Sequence, residues 1–138
     1  MPEPRLDLHT LLICDYALTA QDGKISAIGL FSQINVARLP AIHGRLFVVA
    51  VLETEPGIHE LDLQVVSPSG APLLQDAPRL RMEVPEGTTT ANLVADLNGL
   101  ELQQLGRHRV ELRRGDQLLG SAPFTVALLW PSGPAGNA

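Results

Sequence analysis

Residues 107–128 read RHRVELRRGDQLLGSAPFTVAL, two alternating segments joined by Gly115-Asp116. In both segments an apolar or imidazole side chain recurs at every second position, which predicts that one face of each strand lies inside a core: His108, Val110, Leu112, Phe124, Val126 and Leu128. The Gly-Asp pair is typical of a tight turn between antiparallel strands. This part of the chain therefore predicts a β-hairpin with one buried face.

The same two-residue period runs through most of the remaining sequence, interrupted by short turns that contain Gly and Pro. The clearest example is His59 to Val66, in which Leu61, Leu63 and Val65 alternate with polar residues. Many short strands with regular turns are typical of sandwiches and barrels. We therefore predict an all-β fold with about eight or nine strands, in a two-sheet antiparallel β-sandwich that is immunoglobulin-like or C2-like.

Two local features of this pattern carry further expectations. The segment Gln33–Val36 is interpreted as a continuation of the second strand past a bend, and Asn98-Gly99 is interpreted as a turn. Gly29 lies in the middle of a strand, which indicates a bulge or a close approach of two backbones.

The chain has 138 residues, a length typical of one domain. We assign residues 1–130 to a single sandwich and 131–138, rich in Pro and Gly, to a flexible tail. Hydrophobic residues make up 45% of the chain and charged residues 18%, so a folded core is expected rather than disorder.

Charge and cysteine content limit the classes of partner and the cellular compartment that we expect. There are 15 acidic and 10 basic residues, and the net charge of −5 argues against nucleic-acid binding. Cys14 is the only cysteine, so no disulfide forms within the chain, and a reducing cytoplasm is favoured. The apolar run Leu11–Cys14 is too short for a signal peptide or a membrane span, so no membrane association is expected.

No catalytic, cofactor or metal-binding constellation is evident in the sequence. The four histidines lack the spacing of zinc ligands, and Cys14 lies within an apolar strand face, where thiols serve as packing groups. His108 is expected in the core, whereas His43 and His59 fall near predicted turns and are expected in solvent. We predict no catalytic residue, no cofactor and no metal site.

Two weaker alternatives rest on local charge. Asp96, Asn98 and Glu101 place three oxygen ligands in a predicted strand-end loop, which is fewer than calcium requires. The arginines at positions 107, 109, 113 and 114 could bind phosphate, but cross-strand pairing with acidic neighbours is the favoured use because no aromatic side chains accompany them.

One strand is apolar on both faces, which a sandwich strand normally is not. Within residues 46–52, one alternating set can fill the core, and the other set, Phe47, Val49 and Val51, is then expected to face outward. An exposed apolar patch of this kind often marks an interface. These three residues are our candidate interface for self-association; the alternative is that a loop or residues 100–105 cover them.

Several short motifs in the first half of the chain resemble a family of small bacterial proteins classed as a domain of unknown function. The resemblance covers roughly residues 10–70, and these segments carry it: Cys14-Asp15-Tyr16-Ala17, Asp22-Gly23-Lys24, Ile28-Gly29-Leu30-Phe31, Leu39-Pro40 and Phe47-Val48-Val49-Ala50. It implies a bacterial, cytoplasmic, all-β protein, and it supplies no activity, ligand or catalytic residue.

The two-sided strand and the lack of a catalytic constellation together predict a non-catalytic protein-interaction module. Its expected partner is a second copy of itself, as a homo-oligomer, or another protein of a larger bacterial assembly. The alternative is a protein, possibly an enzyme, that binds a small molecule or divalent metal through the loops near Asp96–Glu101.

Overall fold

The computed structural model describes residues 3–129, which contain nine β-strands and no helix. In chain order the strands are β1 (Leu6–Thr19), β2 (Ile25–Leu30), β3 (Gln33–Val36), β4 (Ala41–Thr54), β5 (Gly57–Val66), β6 (Arg79–Val84), β7 (Thr90–Leu102), β8 (Gly106–Arg114) and β9 (Gln117–Leu128). Within residues 3–129, no helix exists that could cross a membrane. The predicted tail at 131–138 lies outside the described residues.

The strands form two sheets that pack face to face. One sheet has four strands in the order β2-β1-β4-β7, and the other has five in the order β3-β9-β8-β5-β6. The predicted all-β sandwich is confirmed. Its pairing is not antiparallel throughout, because β3 runs parallel to β9, with Gln33 opposite Thr125 and Val36 opposite Leu128.

The sequence pattern suggested that Gln33–Val36 continues β2 past a bend. This prediction is wrong, because β3 is a separate strand of the other sheet. After β2 the chain crosses to the other sheet, where the carbonyl of Ser32 accepts a hydrogen bond from the amide of Thr125 at 2.9 Å. Ile34 and Val36 are buried in the main core, which fixes this short strand in place. Burial of these two side chains therefore favours the crossover over a longer β2.

The main core lies between the two sheets and is built mostly from aliphatic side chains. Leu61, Leu63 and Val65 on β5 are at most 1% exposed, and the predicted inward face of this strand is confirmed. Phe124 on β9 is among the largest fully buried side chains. Gly120 on β9 leaves room for the side chain of Leu8 on β1, which packs where a Cβ would otherwise lie.

Candidate functional site

The outward face of β4 is covered by the chain itself. Phe47 is 8% exposed and Val49 is 2% exposed, whereas Val51 is only partly buried. The first two belong to a second apolar cluster, separate from the main core, together with Cys14 and Ala17. Our expectation that Phe47 and Val49 face solvent is therefore wrong, and Phe47, Val49 and Val51 do not form an open apolar face.

The cover is the hairpin formed by the end of β1 and by β2. Ala17 lies opposite Ala27 in the hairpin register, and both alanines pack against the second cluster, as does Ile25. Residues 100–105, suggested above as a cover, belong to a different part of the sandwich, because β7 continues as far as Leu102. The small alanine side chains are compatible with a close approach of the hairpin to β4.

Aromatic contacts extend the second cluster toward the surface. The ring of Tyr16 meets the ring of Phe47 edge to face at a centroid distance of 5.2 Å. The guanidinium of Arg45 lies 5.6 Å from the Phe47 ring centroid, within the range of a cation–π interaction.

The hairpin itself leaves large apolar side chains in solvent. Tyr16 is 43% exposed and lies opposite Ile28, which is 58% exposed. Leu18 follows Tyr16 on the same face, because side chains alternate along a strand, and Leu30 at the end of β2 is also exposed. We call Tyr16, Leu18, Ile28 and Leu30 the hairpin patch. The sequence analysis did not single out these four side chains, because alternation along a strand does not show which apolar face is left in solvent.

Gly29 in β2 leaves room for the side chain of Asp15 on β1, whereas the sequence indicated a bulge or a close approach of two backbones. Its φ of +73° lies in the left-handed region, and a Cβ built there would be 2.5 Å from a carboxylate oxygen of Asp15. A larger residue at this position would therefore be strained both by its backbone and by its neighbour.

Cys14 lies at the centre of the second cluster and is fully buried. Its Sγ donates a weak hydrogen bond to the carbonyl of Tyr16 at 3.4 Å. Burial raises the pKa of the thiol above its ordinary value of 9.0. At neutral pH the thiol is therefore protonated, and it has the properties of a packing group rather than of a nucleophile.

Asp96, Asn98 and Glu101 lie within β7 rather than in a loop. Gly99, with a φ of +67°, lies between register pairs His43–Leu100 and Arg45–Asn98, so the predicted turn at Asn98-Gly99 is wrong. Asp96 pairs with Arg45 on the neighbouring strand at 3.7 Å. Among residues 3–129 no group of three or more His, Cys, Asp or Glu side chains could hold a metal ion.

The arginines of β8 are used mainly for ion pairs. Glu111 is buried on the outward side of the strand and pairs with Arg109 at 3.2 Å and with Arg113 at 3.1 Å. Acidic pairing was predicted, but across strands, whereas the acidic partner here is two residues away on the same strand. Arg114 donates to the carbonyl of Pro4 at 2.7 Å, while Arg107 remains exposed.

Two of the histidines are buried in the sandwich. His108 is 1% exposed, as expected, and stacks on Phe124 with ring centroids 5.1 Å apart. His59 is also 1% exposed, so the expectation of a solvated side chain is wrong. Its Nε2 lies 2.8 Å from Oγ1 of Thr54. The signal for burial was present in the sequence, because His59 has the same parity as the buried residues of β5.

Solved structures share the fold of this chain at low sequence identity. The DNA glycosylase AlkC of Pseudomonas fluorescens, in a complex with DNA that contains an abasic site analogue, aligns with a TM-score of 0.51 and 16% identity, over 88% of this chain and 30% of AlkC. The beta-D-glucoside glucohydrolase of Trichoderma reesei aligns with a TM-score of 0.51 and 9% identity, over 90% of this chain and 19% of that enzyme.

An immunoglobulin-like protein of Pseudomonas aeruginosa aligns over 88% of this chain and 96% of its own, with a TM-score of 0.41 and 15% identity. The chain spans less than a third of the length of AlkC and of the glucohydrolase, and its likeness to these two enzymes concerns the fold alone. Among curated proteins, none matches the chain in sequence.

The sequence itself matches a family over nearly the whole sandwich. The match extends from residue 9 to residue 127, well beyond the segments in the first half that carried the resemblance. The chain therefore belongs to DUF6941, a family of unknown function.

Proposed function

We propose that this protein is a non-catalytic interaction module of the bacterial cytoplasm that binds a second copy of itself through strand β2. The observation that carries the proposal is the hairpin patch, which lies at an edge of the four-stranded sheet and exposes four large apolar side chains. Exposed apolar patches often mark protein interfaces.

Strand β2 is the edge with the least protection against pairing. Natural edge strands are blunted by charges, by proline, by bulges or by short length. Among the other edge strands of the described sandwich, β6 carries Arg79, Arg81 and Glu83, and β3 has only four residues. The edge strand β7 carries the charged residues Asp96 and Glu101. Strand β2 reads ISAIGL, with neither charge nor proline.

Two copies of β2 can pair antiparallel around a two-fold axis. Such an interface is isologous, so each copy contributes the same backbone edge and the same hairpin patch. The backbone groups on the open side of β2 would then be paired, and the two patches would meet across the axis. Complete burial of Ile28, which is 58% exposed, would contribute on the order of 1–2 kcal/mol for each copy.

The test is absolute mass in solution, measured by light scattering on a sizing column over a wide range of protein concentration. We expect the natural chain to form a dimer and Ile28→Lys to be monomeric, because a lysine on an edge strand opposes pairing. Ile58→Lys is the matched control, since Ile58 on β5 is 52% exposed on a different surface.

Both variants should unfold at the same temperature as the natural chain under conditions in which all are monomeric. A natural chain that remains monomeric at every concentration refutes self-association. A dimer that persists in Ile28→Lys but is lost in Ile58→Lys places the interface elsewhere and refutes the role of β2.

A further inference from the structure

A groove runs along the open side of strand β3, between this strand and the start of β4. It consists of two adjoining cavities of about 360 and 450 Å³, and Ile34, Asn35 and His43 line both of them. Each volume lies within the range of about 300–1,000 Å³ that is typical of ligand sites. The groove is therefore large enough to hold several side chains of another molecule.

The groove exists because no strand of the described chain closes this side of the sandwich. Strand β1 pairs with β4 only from Phe47 to Thr54, since the end of β1 leaves β4 and forms the hairpin with β2. Residues 41–46 of β4 consequently have β7 on one side and no strand on the other. In the opposite sheet β3 is an edge strand, and its neighbour is β9.

The backbone of β3 offers hydrogen-bonding groups to the groove. The carbonyls of Ser32 and Val36 accept bonds from amides of β9 and of the residue that follows it. Because the backbone groups of successive residues in a strand point to opposite sides, Gln33 and Asn35 direct their N–H and C=O groups to the open side. Two donors and two acceptors are thus arranged at the two-residue repeat of a β-ladder.

Side chains complete the groove with a partly buried floor and two charged ends. The rings of Phe31 and His43 lie on the floor with their centroids 5.9 Å apart. Asp15 lines one end of the groove, and Arg38 lines the other. Both are exposed, and neither belongs to an ion pair among residues 3–129. One charge of each sign is therefore available to an occupant.

These features fit an extended peptide better than a small molecule. A second strand satisfies all four backbone groups of Gln33 and Asn35 at once, as in the recognition mode called β-strand addition. Side chains at alternate positions of that strand face the floor of the groove, and its two ends lie beside the two charges. Four backbone bonds are few, so the contacts with the groove must supply the rest of the affinity. The short length of β3 thus opposes pairing with a strand that lacks those contacts.

We propose that this groove binds an extended segment of a partner protein, which adds as a strand to the open edge of β3. The segment runs antiparallel to β3 and has apolar side chains at alternate positions. It carries an acidic side chain for Arg38 and, closer to its carboxyl end, a basic side chain for Asp15. The site is separate from strand β2 and goes beyond the self-association proposed above.

The probe is the blocked pentapeptide acetyl-Glu-Val-Thr-Val-Lys-amide, titrated into the ¹⁵N-labelled full chain and followed in ¹H–¹⁵N correlation spectra. We expect saturable shifts of the amides of Gln33 and Asn35, and slower hydrogen exchange at both, because their N–H groups become bonded. With the valines facing inward beside Ile34 and Val36, the threonine and lysine amides of the peptide face β3. N-methylation of these two amides should abolish binding.

Two substitutions at one position separate the backbone of β3 from its side chains. Asn35→Pro removes an N–H that faces the groove and leaves the bonds of Ser32 and Val36 in place, so it should abolish binding of the pentapeptide. Asn35→Ala keeps this N–H and should bind as the natural chain does. Thermal unfolding shows whether both variants are folded. If Asn35→Pro is not, the N-methylated peptide decides the question.

Charge variants test the two ends of the groove. Arg38→Gln should weaken binding about two- to fivefold, which corresponds to an exposed ion pair. Arg81→Gln on β6, at the opposite edge of the same sheet, is the matched control and should leave the affinity unchanged. A peptide with glutamine in place of lysine should lose a similar factor through Asp15. Ile28→Lys should bind the pentapeptide with the natural affinity, so a failure of self-association is distinguishable from a failure of this proposal.

Three results would overturn the proposal. The first is the absence of saturable shifts at millimolar concentrations of the pentapeptide. The second is undiminished binding by the N-methylated peptide or by a folded Asn35→Pro variant, which would show that the edge of β3 is not used. The third is a set of shifts confined to β2, which would place the peptide on the other open edge of the sandwich.

Discussion

Substitutions at Val49 test whether the outward face of β4 is covered by the chain's own hairpin. Val49→Ala removes two carbon atoms from a side chain that is 2% exposed. Loss of transfer free energy, at about 0.8 kcal/mol for each methylene, together with the cavity that remains, should lower the free energy of unfolding by about 2 kcal/mol. Val49→Asp adds the cost of burying a carboxylate, which amounts to several kcal/mol.

The same changes at Val51 provide the matched control. Val51 lies on the same face of β4 but is only partly buried, so an aspartate there can reach water. We expect Val51→Asp to lower the free energy of unfolding by about 1 kcal/mol. Because small domains are stable by roughly 5–15 kcal/mol, Val49→Asp should leave much of the chain unfolded, whereas Val51→Asp should remain folded.

The assay is equilibrium unfolding in urea, followed by circular dichroism at several protein concentrations. If the hairpin is the cover, the loss caused by Val49→Ala is the same when the protein is dilute and monomeric as when it is concentrated. A loss seen only at high concentration would show that a second copy covers Val49. A folded Val49→Asp with the same midpoint as Val51→Asp would show that the face is open to water, and either result refutes the reasoning.

Three further predictions concern the hairpin, the buried thiol and the ion pairs of β8. Gly29→Ala should lower the free energy of unfolding, measured in urea, by at least about 1 kcal/mol more than Gly23→Ala. Both glycines have a positive φ, but only a Cβ at Gly29 would meet Asp15. Equal losses in the two variants would contradict the close contact between Gly29 and Asp15. The midpoint of unfolding in urea should decline as the pH rises above 9.0. Burial raises the pKa of Cys14 in the folded state, so above this pH the thiol ionises in the unfolded chain first and unfolding is favoured. Cys14→Ala should remove the contribution of this thiol to the decline. Glu111→Ala should lower the free energy of unfolding by about 1–3 kcal/mol in the same urea assay, because Arg109 and Arg113 lose their shared acceptor. A variant as stable as the natural chain would show that these two ion pairs contribute nothing to stability.

The candidate site was only partly predictable from the sequence. The two-sided apolar strand 46–52 drew attention to β4, because a strand that is apolar on both faces must be covered on both. Which segment covers it could not be read from the strand. The packing that buries Ala17 and partly buries Ala27 leaves Tyr16 and Ile28 exposed, so the open patch lies on the hairpin that covers β4 rather than on β4 itself.

The surroundings of His108 show a similar division. An inward-facing His108 followed from alternation along β8, but the two loops that lie beside it could not be predicted. Those loops, at Ser67–Leu73 and Gln103–Gln104, are separated in the chain by about thirty residues and are joined through the hydrogen bond from Gln104 to Ser69. No pattern within either loop reveals that contact.

What the sequence by itself determined is the class of fold and the inward face of strands such as β5 and β8. The reason is that backbone pleating makes side-chain direction a local property, with a period of two residues. The tertiary structure decided to which sheet each segment belongs. It also decided that the outward face of β4 is covered by the chain itself. The parallel pairing of β3 with β9 and the packing of the β1–β2 hairpin over Phe47 and Val49 both join segments distant in the chain. Such contacts are selected by total apolar burial in the assembled sandwich, a quantity that no single strand contains.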